Sequence, residues 1–220
     1  MRAGSRRDSG QAFPVYIAVV AALLFLAFAY FVVGQAGVLR NNAQTAADAA
    51  ALAAAEDART QLRDGWVGVV LDPGQWDRFV EGTEYESYSA CQQAAVFAAK
   101  NDGTLAEGDC ARLAGRQGFS VTVRTQGSVG LPGTEARNAV ASATALIEPK
   151  CNFTPPEEPD PDETAPDPAP TEPEEEPEPE PEPEPIGLTC GDEVWTIDPG
   201  DPVLPSAVDL FTVRLAGDDE

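Results

Sequence analysis

The first third of the chain changes from continuously apolar to alanine-rich without an evident break. Residues 9–39 contain no Asp, Glu, Lys or Arg, and residues 13–33 are the most densely apolar part. As a helix, residues 12–33 rise about 33 Å, which is enough to cross a hydrocarbon core of about 30 Å. Residues 43–58 are then rich in Ala, the best helix former, and we expect this helix to end near Asp64 and Gly65.

Basic residues before the apolar run predict its orientation. Arg2, Arg6 and Arg7 stand there against a single Asp8. Basic residues beside a span resist translocation, so the pattern predicts a cytoplasmic segment at 1–11, a transmembrane helix at 12–33 and an exported remainder. The alternative is a cleaved signal peptide, because residues 27–29 (AFA) form a small-x-small string. The run continues to Val33, further than a signal peptide requires, which favours a retained anchor.

Six alanines of the helix recur at three- and four-residue spacings and therefore line one side. We call them the alanine seam: Ala43, Ala46, Ala47, Ala50, Ala53 and Ala54. Small side chains let another backbone approach closely, so this helix-packing seam is a candidate contact with another protein. The alternative is that the same alanines pack inside the chain's own domain. The spacing favours neither interpretation.

Beyond the helix, short apolar and alternating segments predict a small α+β module. Residues 66–71 (WVGVVL) have strand character, residues 87–100 have a helical pattern, and residues 119–125 (FSVTVRT) alternate cleanly. Residues 136–149 predict a second strand, joined to the first by a Gly- and Pro-containing connection at 127–133. We expect a hairpin of these two strands, covered by the Ala-rich helix, to form the core.

Much of the chain's acidity belongs to one segment. The net charge is −23, and residues 154–185 hold 14 acidic residues, 13 prolines and no basic residue. Proline favours an extended backbone and like charges repel, so residues 154–186 are predicted to be a disordered Pro/Glu-rich linker. We expect no nucleic-acid partner, because such binding needs Lys and Arg against phosphates.

Four cysteines lie beyond the apolar run: Cys91, Cys110, Cys151 and Cys190. An even number of cysteines in an exported region predicts two disulfides, although three pairings are open. We favour Cys91 with Cys110 and Cys151 with Cys190, the second pair closely flanking the linker. The linker is then a looped-out insertion, and residues 187–220 pack on the main domain through strands at 193–197 and 208–215.

No catalytic or ligand-binding arrangement stands out. The chain has no His, so a hydrolase triad lacks its usual base, and no pair of cysteines has zinc-site spacing. Asp192 and Glu193 are adjacent carboxylates of the kind usually found on solvated surfaces, and residues 198–201 (DPGD) lack the spacing of a calcium loop. We therefore predict no enzyme, no metal, no cofactor and no small-molecule substrate.

One continuous stretch resembles a known family. Gly10 and Pro14 precede the span, and residues 44–55 (QTAADAAALAAA) follow it, with Asp48 as the one charge inside the Ala block. Over residues 8–60 the chain resembles TadE/TadG-like proteins of the Flp (tight adherence) pilus machinery, of the actinobacterial type. The resemblance implies a single-pass, pilin-like membrane protein without enzymatic activity.

The resemblance to pilins also raises the question of N-terminal processing. Type IV prepilins are cut after a Gly, which makes Gly10 a candidate prepilin-type cleavage site. They usually carry a Glu five residues after the cut, where this chain has Val15. At this position the chain departs from the prepilin pattern.

The expected fold is therefore α+β: one transmembrane helix that continues into a pilin-like Ala-rich helix, followed by a small exported disulfide-bonded domain. Its parts are the exported region at 34–153, the linker at 154–186 and a C-terminal β segment at 187–220. The predicted function is a membrane-anchored pilin-like or accessory structural component of a Flp/Tad-type pilus assembly or secretion system in a bacterial cell membrane. Its expected partners are membrane lipid and other pilus-assembly proteins. The alternative is a secreted or cell-wall-exposed binding module that uses the hydrophobic segment only for export.

Overall fold

The computed structural model describes residues 12–130, 135–153, 186–198 and 203–217. Its helices are α1 (Ala12–Gly68), α2 (Asp77–Val80), α3 (Ser87–Lys100) and α4 (Ala207–Leu210), with a 3₁₀ turn at Pro73–Gln75. Its strands are β1 (Gly103–Thr104), β2 (Cys110–Arg112), β3 (Gly118–Val129), β4 (Arg137–Pro149), β5 (Cys151–Phe153), β6 (Ile186–Cys190), β7 (Glu193–Ile197) and β8 (Phe211–Leu215). The predicted α+β class is confirmed. The expectations for Gly10, for the basic N-terminus and for residues 154–185 lie outside the described residues.

The core is an antiparallel sheet covered by α1 and α3. The sheet has the order β1-β3-β4-β8, with β2 also paired to β3, and its centre is the β3–β4 hairpin. Large residues of β3 stand opposite small residues of β4, as in the pairs of Phe119 with Ala145 and Val121 with Ala143. These four side chains are buried, and α1 packs on both strands. The expected core, a hairpin covered by the Ala-rich helix, is confirmed.

Alanines let α1 lie close to both α3 and the sheet. One close point is Gly103, where β1 follows α3. A Cβ built on Gly103 would lie 2.4 Å from Val123 Cγ1 and 3.1 Å from Ala46 Cβ. Real Cβ atoms do not approach other atoms so closely, so a larger residue at this position would push the helix and the sheet apart.

The expected strand at 66–71 is wrong, because α1 runs on to Gly68. Leu62 and Trp66 follow Ala58 at four-residue steps and extend the buried stripe of the helix. The Trp66 ring packs edge-on against Trp76, with 5.3 Å between ring centroids. Packing of this stripe thus overrides the β propensity of the valines. The chain then turns, and the Val69 carbonyl accepts a hydrogen bond from Trp76 Nε1 at 3.0 Å.

The C-terminal segment divides between two sheets. The strand expected at 208–215 begins only at Phe211, because a capping box at Ser206 and Asp209 starts the short helix α4. From there β8 pairs with β4 and extends the main sheet, as expected. The strand expected at 193–197 is present, but β7 pairs with β6 in a separate sheet of order β5-β6-β7.

Two disulfides tie the module together. Cys91–Cys110 joins α3 to β2 across 19 residues, a closure that contributes about 3 kcal/mol in the chain-entropy model. Cys151–Cys190 joins β5 to β6, where the two cysteines are direct partners in the strand register. This is the pairing favoured from the sequence. Because β5 and β6 are antiparallel neighbours, the chain leaves and re-enters the second sheet at the same end.

Candidate interaction surfaces

The N-terminal half of α1 is an apolar surface that the other described residues leave mostly uncovered. Its large side chains are mostly exposed, as shown by Leu24 at 66%, Phe25 at 69% and Tyr30 at 84%. Within the described residues, α1 is the one helix that is long and apolar enough to cross a membrane, by length and composition. A continuous apolar surface of this size marks a contact with lipid or another protein. Single-pass membrane anchoring fits this helix.

The alanine seam is buried inside the chain's own domain. Five of its residues are fully buried and Ala53 is 8% exposed. The helix packs there against α3 and the main sheet. Of the two interpretations left open by the sequence, the structure favours packing within the chain. A protein partner would therefore have to use a surface of α1 other than the five fully buried alanines of the seam.

One such face is a groove between α1 and α3, which the sequence did not indicate. This α1–α3 groove has a volume of about 390 Å³, and its lining includes Leu52, Ala53, Glu56, Asp57, Gln93 and Phe97. The lining combines apolar side chains with two carboxylates. The signal that was missed is a second stripe on α1 at residues 49, 52, 53, 56 and 60, spaced as one helix face.

A second groove lies where α1 leaves its most apolar part. This hairpin groove has a volume of about 690 Å³ and is lined mainly by α1, including Ala27, Tyr30, Phe31, Gly34 and Val38, together with Ser128 and Val129 of β3. Sequence patterns do not indicate this contact, because they do not tell how far down the helix the β3–β4 hairpin reaches.

The titratable groups with shifted pKa values serve structural contacts. Burial raises the pKa of Tyr85, while the Gly118 N–H and the Arg112 guanidinium oppose that rise. Arg112 lies over the Tyr85 ring, 4.1 Å from its centroid.

Among the residues that the structure describes, no group of three or more His, Cys, Asp or Glu side chains is placed to hold a metal ion.

The geometry of α1 and the domain that follows it defines the class of protein. An exposed apolar helix that continues into a small disulfide-bonded α+β domain is the architecture of a membrane-anchored protein with one span. Residues 10–62 match the family model described as "Putative Flp pilus-assembly TadE/G-like" (Tad). The match confirms the resemblance and supports a role related to Flp/Tad pili. It covers the apolar half of α1 and the alanine seam, and it leaves the hairpin and the C-terminal segment outside. No curated protein and no solved structure matches the chain.

Proposed function

We propose that this chain is a membrane-anchored, pilin-like structural component of a Flp/Tad-type pilus assembly or secretion system. The N-terminus lies in the cytoplasm, α1 crosses the bacterial cell membrane, and the α+β domain stands outside. The chain carries out no reaction of its own and contributes contacts to other pilus-assembly proteins.

The observation that carries this proposal is the continuity of α1. The helix has 57 residues from Ala12 to Gly68 and shows no interruption between its exposed apolar half and its buried half. A helix of this length extends about 85 Å, far more than a span alone requires. If a signal peptidase cleaved the chain after residue 29, the secreted protein would begin with an apolar segment in which Tyr30, Phe31 and Val38 are exposed. A retained anchor keeps those side chains in or beside lipid.

Two features support the proposed orientation. The basic residues Arg2, Arg6 and Arg7 precede the span, and cytoplasmic flanks carry such an excess. Both disulfides belong to the part after the span, and disulfides persist in oxidising compartments outside the cytoplasm.

The alanine seam is already occupied, so contacts with other proteins fall on surfaces that remain open. These are the lipid-facing side of the span and the α1–α3 groove. In a bilayer, close packing of helices relies on small side chains. Among the described residues, nothing lies within 4 Å of a Cβ built on Gly37, so a neighbouring helix can approach α1 there.

The test is the intact mass and N-terminal peptide of the protein recovered from membrane and culture-supernatant fractions. A membrane-bound chain that begins at Met1 or Arg2 supports the anchor with an accessory role. A membrane-bound chain that begins at Gln11 indicates prepilin-type processing and a place in a filament. A soluble chain that begins near Tyr30 contradicts the anchor and supports the secreted binding module.

Two variants make that measurement decisive. Ala29→Leu removes the small residue that a signal peptidase requires, and it should change nothing if the anchor is retained. If the wild-type chain begins at Gln11, Gly10→Leu should restore the unprocessed mass and leave the protein in the membrane.

A further inference from the structure

The described end of the β3–β4 hairpin, residues 128–130 and 135–137, lies beside the part of α1 that emerges from the apolar run. On one flank, Ser128 and Val129 line the hairpin groove with residues of α1 from Ala27 to Asn42. On the other flank, Gly130 and Arg137 lie beside Val32 and Ala36. The alanine seam begins only at Ala43. The hairpin therefore reaches below the packed part of the helix, along the half that the domain otherwise leaves open.

Side-chain hydrogen bonds fix this end of the hairpin. The β3–β4 register shifts between Arg124 and Ser128. The buried Thr125 hydroxyl donates to the Gly127 carbonyl at 2.8 Å and accepts from the Ala139 N–H at 3.0 Å. Asn138 Nδ2 donates to the Thr125 carbonyl at 2.8 Å. An irregularity that is bonded in this way redirects a strand. Here it places Gly127 against Leu39, where a built Cβ would lie 3.6 Å from Leu39 Cδ1.

The level of the hairpin end follows from bilayer dimensions. The hydrocarbon core is about 30 Å thick and the whole bilayer about 40–45 Å, so each headgroup layer corresponds to roughly four residues of helix. If the core is filled by residues 12–33, the headgroup layer surrounds residues 34–37. Gly130 and Arg137, beside Val32 and Ala36, lie at that level.

The chemistry of the hairpin groove changes along its length. Its lower end consists of Ala27, Tyr30 and Phe31, which belong to the apolar run, and its upper end includes Gln35, Asn42 and Ser128. Tyr is enriched at membrane–water interfaces, where its apolar ring and polar hydroxyl suit the headgroup boundary. The charged side chains around this level are Arg137, Arg40, Glu135 and Asp102, whose charges balance. The apolar lower end of the groove, and not an excess of charge, therefore indicates what it binds.

We infer that the hairpin end is a second membrane contact of this protein, in which an outer-leaflet phospholipid fills the hairpin groove. Its acyl chain lies along Tyr30 and Phe31, and its headgroup lies toward Gln35 and Ser128. This inference rests on the proposed retained anchor. The contact holds the domain at a fixed height, with Leu52 and the α1–α3 groove about 27 Å along the helix from Gly34.

The test uses full-length protein in vesicles of phosphatidylcholine and phosphatidylglycerol, with and without bromine on the acyl chains. Bromine quenches indole fluorescence only at close range. Ser128→Trp places a reporter in the groove. Ser89→Trp is the matched control, because Ser89 is also exposed. Ser89 comes shortly after Glu86, whose backbone N–H donates a hydrogen bond to the Gln61 side chain. Gln61 lies far along α1 from the span, so Ser89 does too. Phe25→Trp reports on the span itself.

We expect bromine to remove most of the added fluorescence of Phe25→Trp and Ser128→Trp and none of that of Ser89→Trp. If Phe25→Trp is quenched and Ser128→Trp is not, the anchor stands and the lipid contact is overturned. If Phe25→Trp is not quenched either, the proposed anchor itself fails, and the inference fails with it. An unquenched Ser128→Trp whose emission changes only when the protein self-associates would assign the groove to a second copy.

Discussion

The two halves of α1 share one backbone and differ in what surrounds them. In the first half, large side chains such as Phe25 are 69% exposed, and the other described residues leave them uncovered. In the second half, alanines are buried against α3 and the sheet, and Trp66 is buried against Trp76. Side-chain size accounts for the difference. Alanines let protein backbones come close, whereas the larger apolar residues fill space that a bilayer supplies. A single helix can thus be matched to two environments by composition alone.

The largest expected effect separates the two halves by truncating one aromatic in each. Trp66→Ala should lower the free energy of unfolding of the domain by about 3–5 kcal/mol, because it empties a buried site against Trp76. Phe25→Ala removes an aromatic side chain that the domain does not touch and should leave unfolding unchanged. The measurement is urea unfolding of the full chain in detergent, followed by near-ultraviolet circular dichroism. Equal destabilisation by both changes would refute the division.

A charge placed in the first half of α1, with a control just beyond the end of the helix, tests the same division from the membrane side. Leu24→Lys should oppose membrane insertion by about 2.5–3.5 kcal/mol, the cost of Lys at the centre of a span. Leu71→Lys is the matched control, because Leu24 and Leu71 are both 66% exposed. The readout is the fraction of protein that sediments with membranes after a wash at high pH. Loss of sedimentation for Leu71→Lys, or its retention at wild-type level for Leu24→Lys, would contradict the account.

A smaller effect is expected when side-chain volume is added to the alanine seam instead of being removed from the core. Ala50→Leu adds volume where the domain is closely packed and should destabilise it by about 1–3 kcal/mol. Ala95→Leu makes the same change on the exposed face of α3 and should have little effect. Urea unfolding measures both. If the Ala50→Leu protein is as stable as the wild type and loses only its binding to pilus-assembly proteins, the seam is a contact with another protein.

The smallest expected effect concerns pH and the edge of the sheet. A hydrogen bond from Arg214 holds the pKa of Glu148 below its ordinary value of 4.5, across the β4–β8 pair. A lowered pKa means that the pair stabilises the fold above the ordinary pKa and that this contribution is lost as the pH falls through the lowered value. A surface pair contributes only about 0–1 kcal/mol. Glu148→Gln should therefore slightly lower stability at neutral pH and reduce its acid dependence. An unchanged pH profile would exclude this contribution.

The sequence predicted the elements whose patterns are local. The alternation in FSVTVRT indicated β3, the helical pattern at 87–100 indicated α3, and the composition of the first third indicated a helix with an apolar and an alanine-rich half. The resemblance to TadE/TadG-like proteins is confirmed over residues 10–62.

The errors arose where tertiary contacts decide. Trp66 belongs to α1 because its ring packs on Trp76, a residue that lies beyond the turn. One error instead has a local cause: the capping box between Ser206 and Asp209 starts a helix before Phe211, in a segment whose apolar pattern alone indicates a strand. The two grooves depend on how the hairpin and α3 lie along α1, and no local pattern contains that information.

The most direct test of the central claim is amide hydrogen exchange of the full chain in vesicles, with increasing urea. The account predicts that residues 13–33 stay protected throughout, because lipid surrounds them, whereas residues 43–66 lose protection when the domain unfolds. Protection should continue without a gap through Gly34 and Gly37 in the native protein. An unprotected break at those glycines, or loss of protection in both halves at the same urea concentration, would contradict the account.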